Sequence, residues 1–276
     1  MSLKFTKMHG IGNDFVVIDA VTQRVQLKPH NIRLLADRRL GVGCDQVLLV
    51  EPPRRPDVDF HYRIFNPDGG EAEQCGNGAR CFARFVRHRC LTRKRIIRVQ
   101  SLSGIHELRI IDRQQVEVNM GLPSLDPAQI PINRSQRTEE YRLKVNGENI
   151  PVGAVSMGNP HAILRVADTE HCRIGELGPA IESHPDFPQR CNVGFMQVLK
   201  RDEIRLRVYE RSAGETLACG SGACAAVVHG RLRGWLDEQV TVHLPGGKLC
   251  VAWPGEGHPV HMIGPTAVVF EGSIRL

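Results

Sequence analysis

The chain has 276 residues, 41% of them hydrophobic, and Lys+Arg 36 against Asp+Glu 30 leaves a net charge of only +6. That is enough apolar material for real cores, and a basic surplus so small favours an acidic small ligand over nucleic acid. No apolar run approaches the roughly 18 residues of a membrane span, Met1–Lys7 lacks the apolar stretch of a secretion signal, and nine cysteines, an odd number, read as thiols in a reducing cytoplasm.

Leu3–Met8 and Phe15–Asp19 read as strands, split by the turn-rich His9-Gly10-Ile11-Gly12-Asn13-Asp14. A helix is expected over Asn31–Arg39, then a loop Gly41–Gln46 and a strand Val47–Val50 that Pro52, Pro53 and Pro56 terminate. Asp59–Phe65 is the next strand. It leads through Asn66-Pro67-Asp68-Gly69-Gly70-Glu71 to Cys75-Gly76-Asn77-Gly78-Ala79-Arg80-Cys81. Beyond Cys75, Ala79, Phe82, Ala83 and Val86 fall on one helical face. Arg95–Gln100 and Glu107–Ile111 form an expected hairpin turning at Ser103-Gly104, and Val116–Met120 adds a strand.

A boundary is expected near Gly121-Leu122-Pro123. Tyr141–Val145 and Ile150–Val155 flank Asn146-Gly147, a strong hairpin signal. Gly158-Asn159-Pro160-His161 precedes a strand Ala162–Val166, and Gly178–Ser183 reads as a short helix. Val193–Leu199 and Ile204–Tyr209 are strands, followed by Glu210-Arg211-Ser212-Ala213-Gly214-Glu215 and by Cys219-Gly220-Ser221-Gly222-Ala223-Cys224. The run after Cys219 is apolar nearly all round, as in a buried helix. Val240–Leu244 and Lys248–Trp253 pair across Pro245-Gly246-Gly247, and Ala267–Ile274 is a last strand.

The second half echoes the first. Cys75 and Cys219 stand 144 positions apart, Asn13 and Asn159 146, Gln46 and Asn192 146. Three echoes in one order and at nearly one spacing imply two equivalent lobes, 1–120 and 121–265, with strand 266–276 returning to the first and a site in the cleft between them. Strands outnumber helices and turns are short, so the class is α+β with mainly antiparallel sheets.

Each cysteine thus opens a helix, where unpaired N–H groups and the dipole favour a thiolate or a bound carboxylate. Ligand spacing argues against metal, and the absence of Cys-x-x-Cys argues against thiol–disulfide exchange. Cys81 and Cys224 read as small core residues, as do Cys44, Cys90, Cys172, Cys191 and Cys250. Proton transfer fits the symmetry: two bases on opposite faces of one carbon make an epimerase or racemase. The carbanion's charge spreads onto the substrate carboxylate, which two helix N-termini stabilise without a cofactor.

Lys7-Met8-His9-Gly10-Ile11-Gly12-Asn13-Asp14-Phe15, Gly41-Val42-Gly43-Cys44-Asp45-Gln46, the two cysteine loops and Gly158-Asn159-Pro160-His161 together resemble diaminopimelate epimerase along nearly the whole chain. The resemblance implies two pseudo-symmetric lobes, each a sheet wrapped on a central helix. It implies cofactor-independent interconversion of LL- and meso-2,6-diaminoheptanedioate, in lysine and peptidoglycan precursor synthesis. Cys75 and Cys219 are then the acid–base pair, Cys75 the donor and Cys219 the acceptor for the LL isomer. Gly76-Asn77 and Gly220-Ser221 would hold the reacting carboxylate, and Asn13, Gln46, Asn66, Asn159, Asn192, Glu210 and Arg211 would line the pocket, Arg211 facing the far carboxylate. His161 and Glu210 would tune the thiols. A homodimer is implied, with Phe270 at its contact where many relatives carry tyrosine.

Blander readings compete. Asn13 and Asn159 also suit turns, Glu71 and Glu215 suit loop anchors, and the basic run Arg84–Arg98 suits a solvated face without the aromatics of a nucleic-acid binder. Two other functions stay open: a proline or hydroxyproline racemase on the same scaffold, for which Arg211 and the asparagines are surplus, and a non-enzymatic anion- or RNA-binding module.

Overall fold

A computed structural model describes residues 2–72 and 75–276. The chain forms two compact units, Met1–Asn119 with Ile263–Leu276, and Met120–Met262.

In the first unit β1 (Ser2–Gly10) and β2 (Asn13–Asp19) are an antiparallel pair with Thr6 opposite Val17. α1 (Pro29–Ala36) leads to β3 (Gln46–Glu51), parallel to β2 with Phe15 opposite Gln46. β4 (Phe60–Phe65) runs antiparallel to β3, and the two-residue β5 (Glu71–Ala72) folds back on it. α2 (Gly76–His88) crosses to β6 (Ile96–Ser101), parallel to β4. β7 (Gly104–Ile110) and β8 (Gln115–Asn119) complete a meander. α2 is the centre of this unit. Gly76 through Ala83, Phe85 and Val86 are all buried, and β1, β2, β3, β7 and β8 pack against it.

The second unit repeats the order. β9 (Tyr141–Val145) and β10 (Glu148–Ser156) form the hairpin at Asn146-Gly147. β11 (Pro160–Arg165) is antiparallel to β10, and α3 (Ile174–Glu182) crosses to β12 (Asn192–Lys200), parallel to β11 with His161 opposite Asn192. β13 (Glu203–Glu210) and β14 (Gly214–Thr216) follow antiparallel. α4 (Gly220–Leu232) crosses to β15 (Gln239–Leu244), parallel to β13, and β16 (Gly247–Ala252) closes a hairpin. β17 (His261–Pro265) follows, and β18 (Ala267–Arg275) pairs antiparallel with β1, Ser2 opposite Arg275.

The two-lobed α+β class is as expected, but each unit also holds two parallel pairs. All four occur where a helix separates the strands, because a parallel pair needs a long crossover and a tight turn cannot supply one. Two helices sit earlier than expected. α1 ends at Ala36, since Asp37 Oδ1 accepts the Arg39 and Leu40 N–H groups at 2.7 and 2.8 Å and turns the chain out. α3 begins at Ile174 and carries Pro179 in its interior, the residue that hid its length. No helix of the described residues is long and apolar enough to cross a membrane.

Three cysteines depart from the expected core positions: Cys172 and Cys250 are half-buried, and Cys90 is exposed, at φ 55°. Cys90 sits just past α2, where Cys90 N–H reaches Arg87 O at 3.2 Å and Leu91 N–H reaches Val86 O at 2.9 Å, a Schellman ending. Past α4 the same two bonds involve Gly234, at φ 68°, and Trp235. A left-handed conformation strains any residue with a Cβ. Cys90→Gly is therefore expected to raise stability by about 1 kcal/mol, read as a higher urea midpoint at unchanged slope.

Candidate active site

In the first unit the candidate residues gather at one end of β2, β3 and β4. The registers Phe15–Gln46 and Val47–Phe65 bring Asn13, Gln46 and Asn66 to the same edge of the sheet. Cys75 is the N-cap of α2, in extended conformation, and its Sγ accepts the Gly78 N–H at 3.3 Å. The same sulfur lies 3.7 Å from Asn13 Oδ1, which also accepts from Asn77 Nδ2 at 3.2 Å. Gln46 Nε2 donates to Asn66 Oδ1 at 2.9 Å. Gly76 and Asn77 form the first turn of α2, and both are buried.

Behind these residues lies a charge cluster that the sequence reading missed. Asp14 takes Lys7 Nζ at 2.6 Å and both Arg38 terminal nitrogens at 2.9 and 2.7 Å. Lys7 also donates to Gly43 O. Burial alone would raise the Asp14 carboxyl, but the bonds from Arg38 and Lys7 outweigh it and hold the group well below the usual carboxylate range. Asp45 bonds Arg38 Nη2 at 2.7 Å and Asn13 Nδ2 at 2.8 Å. Arg80 is completely buried and donates to Asn77 Oδ1 at 2.8 Å.

The second unit has candidate residues on the same plan. Cys219 is the N-cap of α4, only 3% exposed, with Sγ 3.7 Å from Ser221 Oγ. Gly220 is buried in the first turn beside Ser221. Asn159 Nδ2 donates to Ser221 Oγ at 3.4 Å, and His161 Nε2 meets Asn159 Oδ1 at 3.0 Å. Asn192 Nδ2 donates to Pro160 O at 3.2 Å while its Oδ1 accepts the Arg211 N–H at 3.0 Å. The Arg211 guanidinium is exposed and donates to Gln189 O at 3.2 Å. Glu210 Oε1 accepts the Thr216 hydroxyl at 2.5 Å. Phe270, on β18, is 47% exposed and edge-on to Phe5, ring centroids 6.0 Å apart.

Burial pushes the Cys219 thiol well above its ordinary value, and the nearby Glu210 carboxylate adds to the rise. The expected lowering by a helix terminus is thus overridden here, because desolvation of a fully enclosed thiolate exceeds the help from one helix end. Burial likewise lowers His161 to about 3, with Arg211 contributing, and His229 to about 4, with Arg233 contributing. Both are neutral in the fold and take up protons only on unfolding in weak acid. Stability from these groups is complete above about pH 6.5 and falls as the pH drops toward the folded values, by about 2 kcal/mol per group at pH 5. Thermal midpoints from pH 7 to 5 should fall accordingly, with proton uptake on unfolding measured by titration.

Glu71 and Glu215 are anchors. Each grips an arginine of the preceding strand with both oxygens: Glu71 with Arg63 at 2.9 and 2.8 Å, Glu215 with Arg207 at 2.6 and 2.8 Å. Both pairs brace the loop ahead of a site cysteine. The repeat in the sequence contained this signal, since arginine and glutamate recur together at the cysteine offset. Among the described residues no group of three or more His, Cys, Asp or Glu side chains is placed to hold a metal ion.

Solved structures of distant sequence share this fold. A phenazine biosynthesis protein of the PhzF family from Bacillus anthracis is 15% identical, with a TM-score of 0.74 over all of both chains. A hydroxyproline epimerase from Agrobacterium vitis is 14% identical, with a TM-score of 0.69 over 99% of this chain and 92% of that one. The protein therefore has the fold of these structures. The sequence profile of diaminopimelate epimerase matches residues 5–125 and 153–269. Proteins named diaminopimelate epimerase from Ectopseudomonas mendocina and Alkalilimnicola ehrlichii are 56% and 58% identical, with all of both chains covered. The chain belongs to the diaminopimelate epimerase family, and it is an isomerase.

Proposed function

We propose that the protein interconverts LL- and meso-2,6-diaminoheptanedioate by moving one α-proton between the substrate and two cysteines, without a cofactor. The observation that carries this reading is the repeated cradle: each unit sets one cysteine as the N-cap of a buried helix, with an asparagine bonded there, Asn13 to Cys75 itself and Asn159 to Ser221 in the first turn after Cys219. Family membership supplies the substrate. In the LL-to-meso direction Cys219, as thiolate, takes the α-proton on one face while the Cys75 S–H gives its proton to the other, and the roles exchange in reverse. The carbanion's negative charge delocalises into the adjacent carboxylate. Backbone N–H groups of Gly76-Asn77 and Gly220-Ser221 hold that carboxylate as preorganised donors do in an oxyanion hole.

Asn13, Gln46, Asn66, Asn159, Asn192 and Glu210 line the pocket in this reading, and the exposed fork of Arg211 binds the far carboxylate bidentately. Glu210 and His161 set the thiol acidities. The product serves lysine and peptidoglycan precursor synthesis in the cytoplasm. We also propose a homodimer in which Phe270 and Val269, both exposed on β18, make contact, to be checked by sedimentation of wild type and Phe270→Glu.

Proton NMR in deuterated water tests the reaction. LL-diaminopimelate should lose one α-proton signal as meso isomer forms, the incoming deuterium sitting only at the inverted carbon. Turnover of proline or hydroxyproline with no exchange into diaminopimelate overturns the substrate assignment, and RNA binding that survives Cys75→Ala without any turnover overturns the enzymatic reading.

A further inference from the structure

We infer that Asp45 and Arg80 are positioning residues that lock the amides of Asn77 and Asn13, so that Asn13 turns its carbonyl oxygen toward Cys75 and holds that sulfur as a thiol. The inference rests on the acid–base reading of Cys75 and adds two residues to it.

An asparagine amide fits a site either way round, and its orientation follows from what its neighbours donate or accept. Arg80 has only donors, and its Nη2 lies 2.8 Å from one end of the Asn77 amide, which must therefore be Oδ1. Asn77 Nδ2 is left to face Asn13 at 3.2 Å, so the Asn13 atom there is Oδ1. Asn13 Nδ2 then meets Asp45 Oδ2 at 2.8 Å, and an ionised carboxylate only accepts. Asp45 is itself pinned by Arg38 on its other oxygen, at 2.7 Å, and by the Asp14 N–H at 3.0 Å. A donor-only group at one end and an acceptor-only group at the other permit one orientation of both amides. Turning either sets like against like at two contacts.

Cys75 Sγ lies 3.7 Å from the oxygen so fixed. That oxygen accepts an S–H and repels a thiolate. It opposes the helix terminus, whose Gly78 N–H points at the sulfur from the other side. A sulfur that accepts from one neighbour and donates to the other is a thiol. Among the described residues, Tyr62 from β4 and Cys81 from α2 also interact electrostatically with Cys75, and the Lys7–Asp14–Arg38 cluster lies behind Asp45. Glu73 lies outside the described residues.

The second unit lacks both locks. At the repeat offsets, Asp45 corresponds to Cys191 and Arg80 to Cys224. There the row His161–Asn159–Ser221–Cys219 begins on an imidazole and passes a hydroxyl to the sulfur, groups that both donate and accept. Asn159 is free to invert when the charge on Cys219 changes, and Asn13 is not. The lock thus holds Cys75 as a thiol, the form that the donor role needs.

A double-mutant cycle on the full chain tests this, reading the pH dependence of Cys75 alkylation by iodoacetamide through peptide mass spectrometry. Asp45 is 43% exposed at its side chain, so Asp45→Asn should fold, and Asp45→Ser carries the same expectation. Either change removes the carboxylate that holds Asn13 Nδ2 and leaves only the Asn77 contact against a turn of its NH2 to the sulfur, lowering the alkylation midpoint by about one pH unit, or about tenfold faster alkylation near pH 7. In an Asn13→Ala background the Asp45 change should shift nothing further. No shift in the wild-type background overturns the lock, and so does an equal shift in both backgrounds, which would mean the lost charge acts through space. Turnover measured on the same samples separates the two readings: turnover without the shift removes only the lock, and the shift without turnover removes only the epimerase assignment.

Discussion

Cys75→Ala and Cys219→Ala are each expected to lower epimerisation by on the order of 10²–10⁴-fold, with a folded protein in both cases. Cys75 contributes one capping bond to the fold, the Gly78 N–H at 3.3 Å, and its loss costs about 1 kcal/mol. Cys219 is enclosed, and its replacement leaves a void no larger than one sulfur. The activity loss is larger because each variant removes one of the two proton-transfer groups of the proposed reaction. The two variants should also differ in what remains. With one base left, a proton is exchanged on one face only, without inversion. Cys75→Ala should wash solvent deuterium into the LL isomer alone, through Cys219, and Cys219→Ala into the meso isomer alone, through Cys75. Exchange of both isomers by both variants would remove the assignment of one sulfur to each face.

Gly78→Ala should destabilise the protein by about 2–3 kcal/mol and lower activity with it. A Cβ on Gly78 would lie 2.5 Å from the Tyr62 hydroxyl. Tyr62 cannot yield, being 2% exposed with its ring centroid 4.7 Å from that of Phe82. Something must move, and what moves is the first turn of α2, whose Gly78 N–H holds the Cys75 sulfur. The cure is a single atom. The next neighbours of such a Cβ, Leu48 and Phe15, are at 3.4 Å, which is ordinary contact. Tyr62→Phe should therefore restore most of the stability of Gly78→Ala. On its own it should be neutral or stabilising, because the Tyr62 hydroxyl is buried with no hydrogen-bond partner among the described residues. Urea titrations of the four proteins give the coupling directly. If the double variant is no more stable than Gly78→Ala, the hydroxyl is not the obstacle.

The position of the two cysteines at helix starts was legible because it is written locally. Ala79, Phe82, Ala83 and Val86 repeat at helical spacing and are all buried, and the glycines after each cysteine mark the turn where side chains have no room. The duplication was legible for the same reason, since a repeated motif needs no knowledge of contacts. β5 and β14 were not, because two or three residues are too few for a period to show, and they exist as strands only through pairing with β4 and β13. The four parallel pairings were hidden too, since alternation along a strand says which face is buried and not which neighbour lies beside it.

Polar partnerships are the clearest divide. Lys7, Asp14, Arg38, Asp45 and Arg80 look like ordinary charges in a linear chain. Register and crossover bring Asp45 to Asn13, 32 positions away, and helix burial turns Arg80 onto Asn77. Hydrophobic spacing is a property of consecutive residues, and so the chain states its helices and its candidate acid–base groups in plain order. The pairing of polar side chains depends on atoms from distant segments that meet only after folding, and those partnerships were decided by the packed structure.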